Sequence, residues 1–207
     1  MIDWYDNEHI PLRLEQCVQT GRSATQSRSL PEFLTAVRYQ ATDGKKPHWS
    51  AGYEISDPLL FEQAKYTKLR ANRSQREADL VGRLETLDRR TYTSVLYDSA
   101  GNEPPRGAER ASPIVVTITS DDQPVDLEKW NDLSGWRRTT AYKLGDSLKI
   151  SHGKAPETTS VARYLTVNEF DHPRDFEHSE QYRHAKEHAK EVRTWKVHRA
   201  FDNTATR

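Results

Sequence analysis

The chain has 207 residues but a single cysteine, Cys17, and a single methionine. One cysteine excludes an intrachain disulfide and leans towards a reducing compartment. No stretch approaches the roughly 20 consecutive apolar residues of a membrane helix. The N-terminus opens on acids where a secretory leader would open on a basic region and an apolar run, so a soluble, cytoplasmic protein is expected. Charge of one sign is missing as well: 31 Lys+Arg offset 31 Asp+Glu, interspersed throughout. That balance leaves no electrostatic footprint for nucleic acid or an anionic membrane, and neither is expected as a partner. Glycine-rich phosphate loops, G-x-S-x-G and paired cysteines do not occur, which removes several common catalytic signatures. Hydrophobic residues are scarce too, at 34%, with a mean hydropathy of -0.93. The core is therefore expected to be modest. Against that, five Trp, nine Tyr and five Phe bring enough burial per residue to argue for a folded chain.

Chemistry is densest at the start, in Asp3-Trp4-Tyr5-Asp6-Asn7-Glu8-His9-Ile10-Pro11-Leu12-Arg13-Leu14. Acids in the first turn and Asp3 as a cap predict a helix, bent near Ile10 by Pro11. The stretch from about 16 to 32 is rich in Ser, Thr, Gln and Arg without a period, and reads as an irregular insertion. Residues 33–41 and 49–55 alternate and predict a hairpin, with Phe33, Thr35, Val37 and Tyr39 on one face and Arg38 and Gln40 on the other. Asp57-Pro58 predicts a helix start, with helix over 59–69. Ser74-Gln75-Arg76-Glu77 has capping-box spacing and opens a second helix, and the charge-rich run 70–90 reads as a solvated helix face. A strand over 91–96 follows. Residues 98–112, with Gly101, Pro104, Pro105 and Gly107, read as a linker. Beyond it come a buried β-branched strand over 114–119, a helix over 126–133 and a strand over 136–144. A polar loop over 145–160, a strand over 161–170, a helix over 179–195 and a strand over 197–201 complete the reading.

The second half thus reads strand-helix-strand-strand-helix-strand, the ferredoxin-like order, and the first half reads the same without its opening strand. Junction residues agree: Glu54-Ile55-Ser56-Asp57-Pro58 aligns with Glu169-Phe170-Asp171-His172-Pro173, Phe61-Glu62 with Phe176-Glu177, and Tyr66 with Tyr182 after one extra residue. Trp4 corresponds loosely to Trp130. A ferredoxin-like sheet has one bare face, so two units close on each other. The expected fold class is α+β: two ferredoxin-like repeats, 1–97 and 113–203, joined by the linker 98–112 and packed as an intrachain dimeric α/β barrel that lacks the first strand of its first repeat.

Three segments, 4–14, 33–39 and Leu87-Asp88-Arg89-Arg90-Thr91-Tyr92, resemble fungal proteins of the dimeric α/β-barrel superfamily, EthD-like branch. The resemblance covers most of the chain and is most specific in its first half. It implies a barrel that handles a small aromatic or polyketide-like molecule in secondary metabolism. The implied chemistry is cofactor-independent acid/base work of decarboxylase, cyclase or isomerase type. The alternative is a noncatalytic ligand-binding or oligomerisation module, or a truncated or defective relative. Three departures stand out: the opening strand, the 16–32 segment, and Trp130-Asn131-Asp132 where the second repeat has no histidine.

His9 before Ile10-Pro11 matches the histidine that the EthD-like helix carries before a proline. With an ordinary pKa of about 6.5, an imidazole exchanges protons near neutral pH. Asp6, one turn earlier, is expected to orient the ring or raise its pKa. His48, Trp49 and Tyr53, with Arg38 and Tyr39 across the hairpin, are expected to line a ligand pocket between helix and sheet. His184 and His188 stand one turn apart, but the adjacent Arg183, Lys186 and Lys190 disfavour a cation. No metal and no cofactor is expected.

Overall fold

The computed structural model describes residues 4–11, 13–14, 30–100, 112–124, 130–151, 160–172 and 176–202. Within them the chain opens with a π-helical turn, Tyr5–His9. Strands β1 (Phe33–Ala41) and β2 (Trp49–Ile55) follow. A 3-10 turn, Pro58–Glu62, leads into helices α1 (Ala64–Ala71) and α2 (Gln75–Gly82). Then come β3 (Thr86–Ser99), β4 (Ile114–Ser120), β5 (Trp136–Ser151) and β6 (Tyr164–Phe170). Helix α3 (Glu180–His188) and β7 (Glu191–Asp202) end the described chain.

All seven strands form one antiparallel sheet in the order β2-β1-β7-β4-β6-β5-β3. The second half supplies four adjacent strands, β7-β4-β6-β5, and the first half supplies both ends. The sheet curls. Four strand steps separate β1 from β5, about 19 Å if flat, yet the Tyr39 hydroxyl on β1 is acted on by Glu169 of β6 and by Tyr142 and Arg138 of β5. Tyr142 is in turn acted on by Glu54 of β2. Register shifts at Phe33/Thr35, Arg38/Tyr39, Thr91/Tyr92, Ser94/Leu96 and Trp136/Arg138 supply the local bends that such a curl needs.

The outer face carries two separate cores. Ile10, Leu14, Leu30, Phe33, Leu60 and Tyr66 are the large members of one, closed by Phe201 from β7. Val116, Ile118, Trp130, Phe170, Phe176 and Tyr182 build the other. The two repeat a motif: Phe61 meets Tyr66 edge-on at 4.9 Å, and Phe176 meets Tyr182 edge-on at 5.4 Å. Trp4 and Trp130 are both buried, at 3% and 1% exposure. Caps fall where side-chain chemistry demands. Asp57 accepts from Leu59 N with Pro58 behind it, Ser74 accepts from Glu77 N, and Ser179 accepts from Tyr182 N, each satisfying an orphaned helix donor.

Several expected elements are corrected. The opening helix is a five-residue π turn, because Pro11 blocks continuation. The helix expected over 59–69 is split at Gln63, whose backbone is extended. The run 70–90 is not one helix face: α2 stops at Gly82, and Arg89 and Arg90 lie on β3. The first part of the expected loop after Leu144 belongs to β5, which continues to Ser151 because β3 pairs with it along its length; 152–159 lie outside the described residues. The last helix ends at His188, not near 195, since 191–202 pair with both β4 and β1. Phe33 does not share a face with Thr35, Val37 and Tyr39, because the bulge behind it turns it outwards with Ala36. Most of the 16–32 insertion, the middle of the 98–112 linker and the start of the 126–133 helix lie outside the described residues. Among the described residues no helix is long and apolar enough to cross a membrane.

Candidate functional site

The opening turn is pressed onto β1 and β2 by Ile10 and Leu14, both fully buried. Its polar side chains must therefore find partners beneath it. They do so in one continuous row of contacts. The Arg38 guanidinium lies over both the Trp49 and the Tyr5 ring, 4.7 Å from each ring centre. Tyr5 then meets the His9 ring at 4.6 Å, and His9 meets Trp4 at 4.7 Å. Ring faces are electronegative, so a guanidinium over two of them is favourably held.

Each charged member is tied. Arg38 Nη1 donates to Asp6 Oδ1 at 2.6 Å, with side chains only 5% and 7% exposed. The other Asp6 oxygen lies 3.4 Å from His198 Nε2. His9 Nδ1 donates to Glu77 Oε1 at 2.9 Å, and Arg13 approaches the same oxygen at 3.9 Å. Arg13 also donates to the His9 carbonyl at 2.7 Å. Burial lowers the His9 pKa to about 4, outweighing the opposing pull of Glu77. The imidazole is therefore neutral at pH 7, with its Nδ1 proton fixed by a carboxylate and Nε2 left as the basic nitrogen. Contact with His9 in turn holds the Glu77 carboxyl below its usual range, against burial.

The expected residues separate. His9, Asp6, Arg38, Trp49 and Tyr53 come together on the outer face, where Tyr53 Oη lies 3.2 Å from Tyr5 Oη. Burial raises both phenols, Tyr53 well above the ordinary value. Tyr39 is not with them. It faces the inside of the curl, where burial raises its pKa and Arg138 pairs with Glu169 at 2.5 Å. His48 is exposed in the approach to β2. Asp6 does not orient His9 and does not raise its pKa; its carboxylate faces Arg38 and His198 across the turn. The orienting acid is Glu77, from α2. Its capping-box spacing was visible in the sequence, but its side chain serves His9 while Ser74 caps alone. Tyr5, Arg13 and His198 also belong to the network, and His198 carries no local sequence signal.

Two cavities are described. The larger, about 490 Å³, opens beside the start of β7 and the end of α3, and the smaller, about 320 Å³, lies along α1. Neither is lined by His9. Among the described residues no cluster of His, Cys, Asp and Glu is arranged to hold a metal. His184 and His188 stack on each other at 4.0 Å, and His188 Nδ1 donates to the His184 carbonyl.

No protein-family model matches the sequence. No curated protein matches it. Among solved structures the chain is similar to a crystal structure of an anthrone oxidase-like protein, with a TM-score of 0.52 and 11% identity over 84% of this chain and 80% of that one. That likeness concerns the fold: a curled, barrel-like α+β sheet.

Proposed function

We propose that the chain is a two-repeat dimeric α/β-barrel protein of the EthD-like branch that handles a small aromatic molecule, with His9 as a general base. The strand order supports the repeat. Numbered within its own half, β7-β4-β6-β5 runs fourth-first-third-second. The first half gives fourth, third and second as β3, β2 and β1, with the edges β2 and β3 flanking the place of a first strand. The Phe61-Tyr66 and Phe176-Tyr182 pairs, and a buried tryptophan in each half, are in keeping with a repeat.

One observation carries the chemistry: a neutral imidazole, fixed at Nδ1 by Glu77 and in tilted contact with two aromatic rings, with 15% of its side chain exposed. A carboxylate behind a histidine fixes the tautomer and steadies the cation that forms on proton uptake. The solved protein of similar fold is described as anthrone oxidase-like, and an anthrone is a flat ketone with an acidic methylene. His9 Nε2 takes a methylene proton, the C–H electron pair moves into the ring system, and the carbonyl oxygen becomes an enolate. The test is deuterium uptake at the methylene of anthrone in D2O. General-base catalysis predicts acceleration at the low end of its usual range, about 10²-fold, because burial makes this imidazole a weaker base than a free one; it is lost in His9→Gln and reduced in Glu77→Gln. Equal uptake by wild type and His9→Gln would remove the mechanism.

A noncatalytic ligand-binding module is the second reading, favoured by the fact that His9 lines neither described cavity. It predicts anthrone binding without accelerated exchange.

A further inference from the structure

The 490 Å³ cavity lies away from His9 and has a chemistry of its own. Lys45, Arg90, Lys186 and Lys190 line it, against one acid, Glu191. Two of these cations are already matched: Arg90 is held by Asp88 at 2.7 Å and Lys190 by Asp121 at 3.1 Å. The other two are not. Lys45 Nζ donates to the Val192 carbonyl at 3.2 Å, and Lys186 Nζ sits 4.4 Å from the centre of the Tyr182 ring. Neither contact cancels a charge, and among the described residues no carboxylate lies within ion-pairing reach of Lys45 or Lys186. The loop bearing Lys45 is held in place, since the buried Arg193 guanidinium donates to Asp43 and to the carbonyls of Lys45, Lys46 and Pro47.

The rest of the lining is mixed, with Thr119 and Ser160 beside an apolar patch of Val161, Ala162, Ala189 and Val192. A volume of this size accommodates a two-ring compound, and an apolar patch beside convergent polar groups suits a ring that carries a charge. We propose that this cavity binds an aromatic carboxylate, its rings on the Val161/Ala162/Ala189/Val192 wall and its anionic end taken by Lys45 and Lys186. An inorganic anion would use the lysines and leave the wall wet; a neutral aromatic would use the wall and leave both ammonium groups without a counter-charge. Only the combined ligand satisfies both. The cavity contains neither His9 nor Glu77, so this proposal and the acid/base reading fail independently.

The test is titration of the full chain with 1-naphthoate, its neutral isostere 1-naphthamide, and inorganic phosphate, followed by methyl NMR shifts and calorimetry. Naphthoate is expected to saturate and to shift the methyls of Val161, Ala162, Ala189 and Val192. Naphthamide should bind roughly tenfold more weakly or worse, as expected for loss of a charge-assisted contact. Lys45→Gln and Lys186→Gln should each weaken naphthoate by several fold, Lys186→Glu further, and Ala189→Trp should abolish binding by filling the space. Lys45 and Lys186 are exposed, so substituting them leaves the buried core untouched. Naphthamide binding as tightly as naphthoate, phosphate matching naphthoate without methyl shifts, undiminished binding to Ala189→Trp, or no saturable binding at all would each overturn the proposal.

Discussion

Arg193 is the side chain whose removal the fold should feel most sharply. Its guanidinium is 4% exposed and makes five hydrogen bonds: Nε and Nη2 to Asp43 at 2.7 and 3.4 Å, Nη1 to the Lys46 carbonyl at 3.2 Å, and Nη2 to the Lys45 and Pro47 carbonyls at 3.0 Å each. These bonds fasten the β1–β2 loop to β7, about 150 residues away in sequence. Arg193→Met keeps much of the stem, which packs with the guanidinium 4.5 Å from the Trp195 ring centre, but orphans three carbonyls and leaves the Asp43 carboxylate only the backbone donors Lys45 N and Thr194 N. Breaking a buried pair from one side costs about 3–5 kcal/mol. Asp43 is 10% exposed and can turn partly to water, so the lower end, about 3 kcal/mol, applies. With a urea m-value of about 2 kcal/mol/M the midpoint should fall by about 1.5 M. Arg193→Lys keeps the charge without the planar fork and should lose about half as much. A loss under about 1 kcal/mol in Arg193→Met would refute the claim that this guanidinium secures the loop.

Two further outcomes follow from the same structure. Gly135 has a φ of 74° and a Cβ there would run into the His172 imidazole; Gly135→Ala should cost at least about 1–2 kcal/mol in thermal or urea unfolding, and a neutral effect would contradict the turn. Stability should also fall as pH drops from about 6.5 to about 4, because the unfolded His9 takes up a proton that the folded one, with its pKa lowered to about 4, refuses. The Glu77 carboxyl, held low, adds to the same trend: its contribution is full above the ordinary carboxylate pKa and is lost as pH falls through the folded value. For His9 the full effect is about 3 kcal/mol, and His9→Gln should flatten that part of the stability-pH curve; an unchanged slope would contradict the assignment.

How much was legible varies by element, for physical reasons. The hairpin, the strand at 114–120 and the helix starts at Asp57, Ser74 and Ser179 could be read because each rests on local chemistry: alternation, β-branching, a capping side chain. The ends of β5 and β7 could not. Their polar residues are held in strands by partners far away, with Arg89 paired to Leu148 and Arg199 to Arg38. The bulge at Phe33/Thr35 reverses which side chains face outwards and leaves no sequence mark. At the candidate site His9 was visible from its neighbours, whereas its true partner Glu77 comes from 68 residues along. One-turn spacing on a helix suggests contact between Asp6 and His9, but the short π turn sends Asp6 to Arg38 and His9 to Glu77.

The claim that most depends on measurement is the neutral, carboxylate-bound imidazole at His9. Carbon-13 labelling of the histidines and an NMR pH titration of wild type against Glu77→Gln reads it directly. The account predicts that the His9 resonance stays in the neutral form through pH 7 and protonates near pH 4, and that removing the Glu77 charge lowers that value further. A His9 resonance that titrates near 6.5, indifferent to Glu77→Gln, would contradict it.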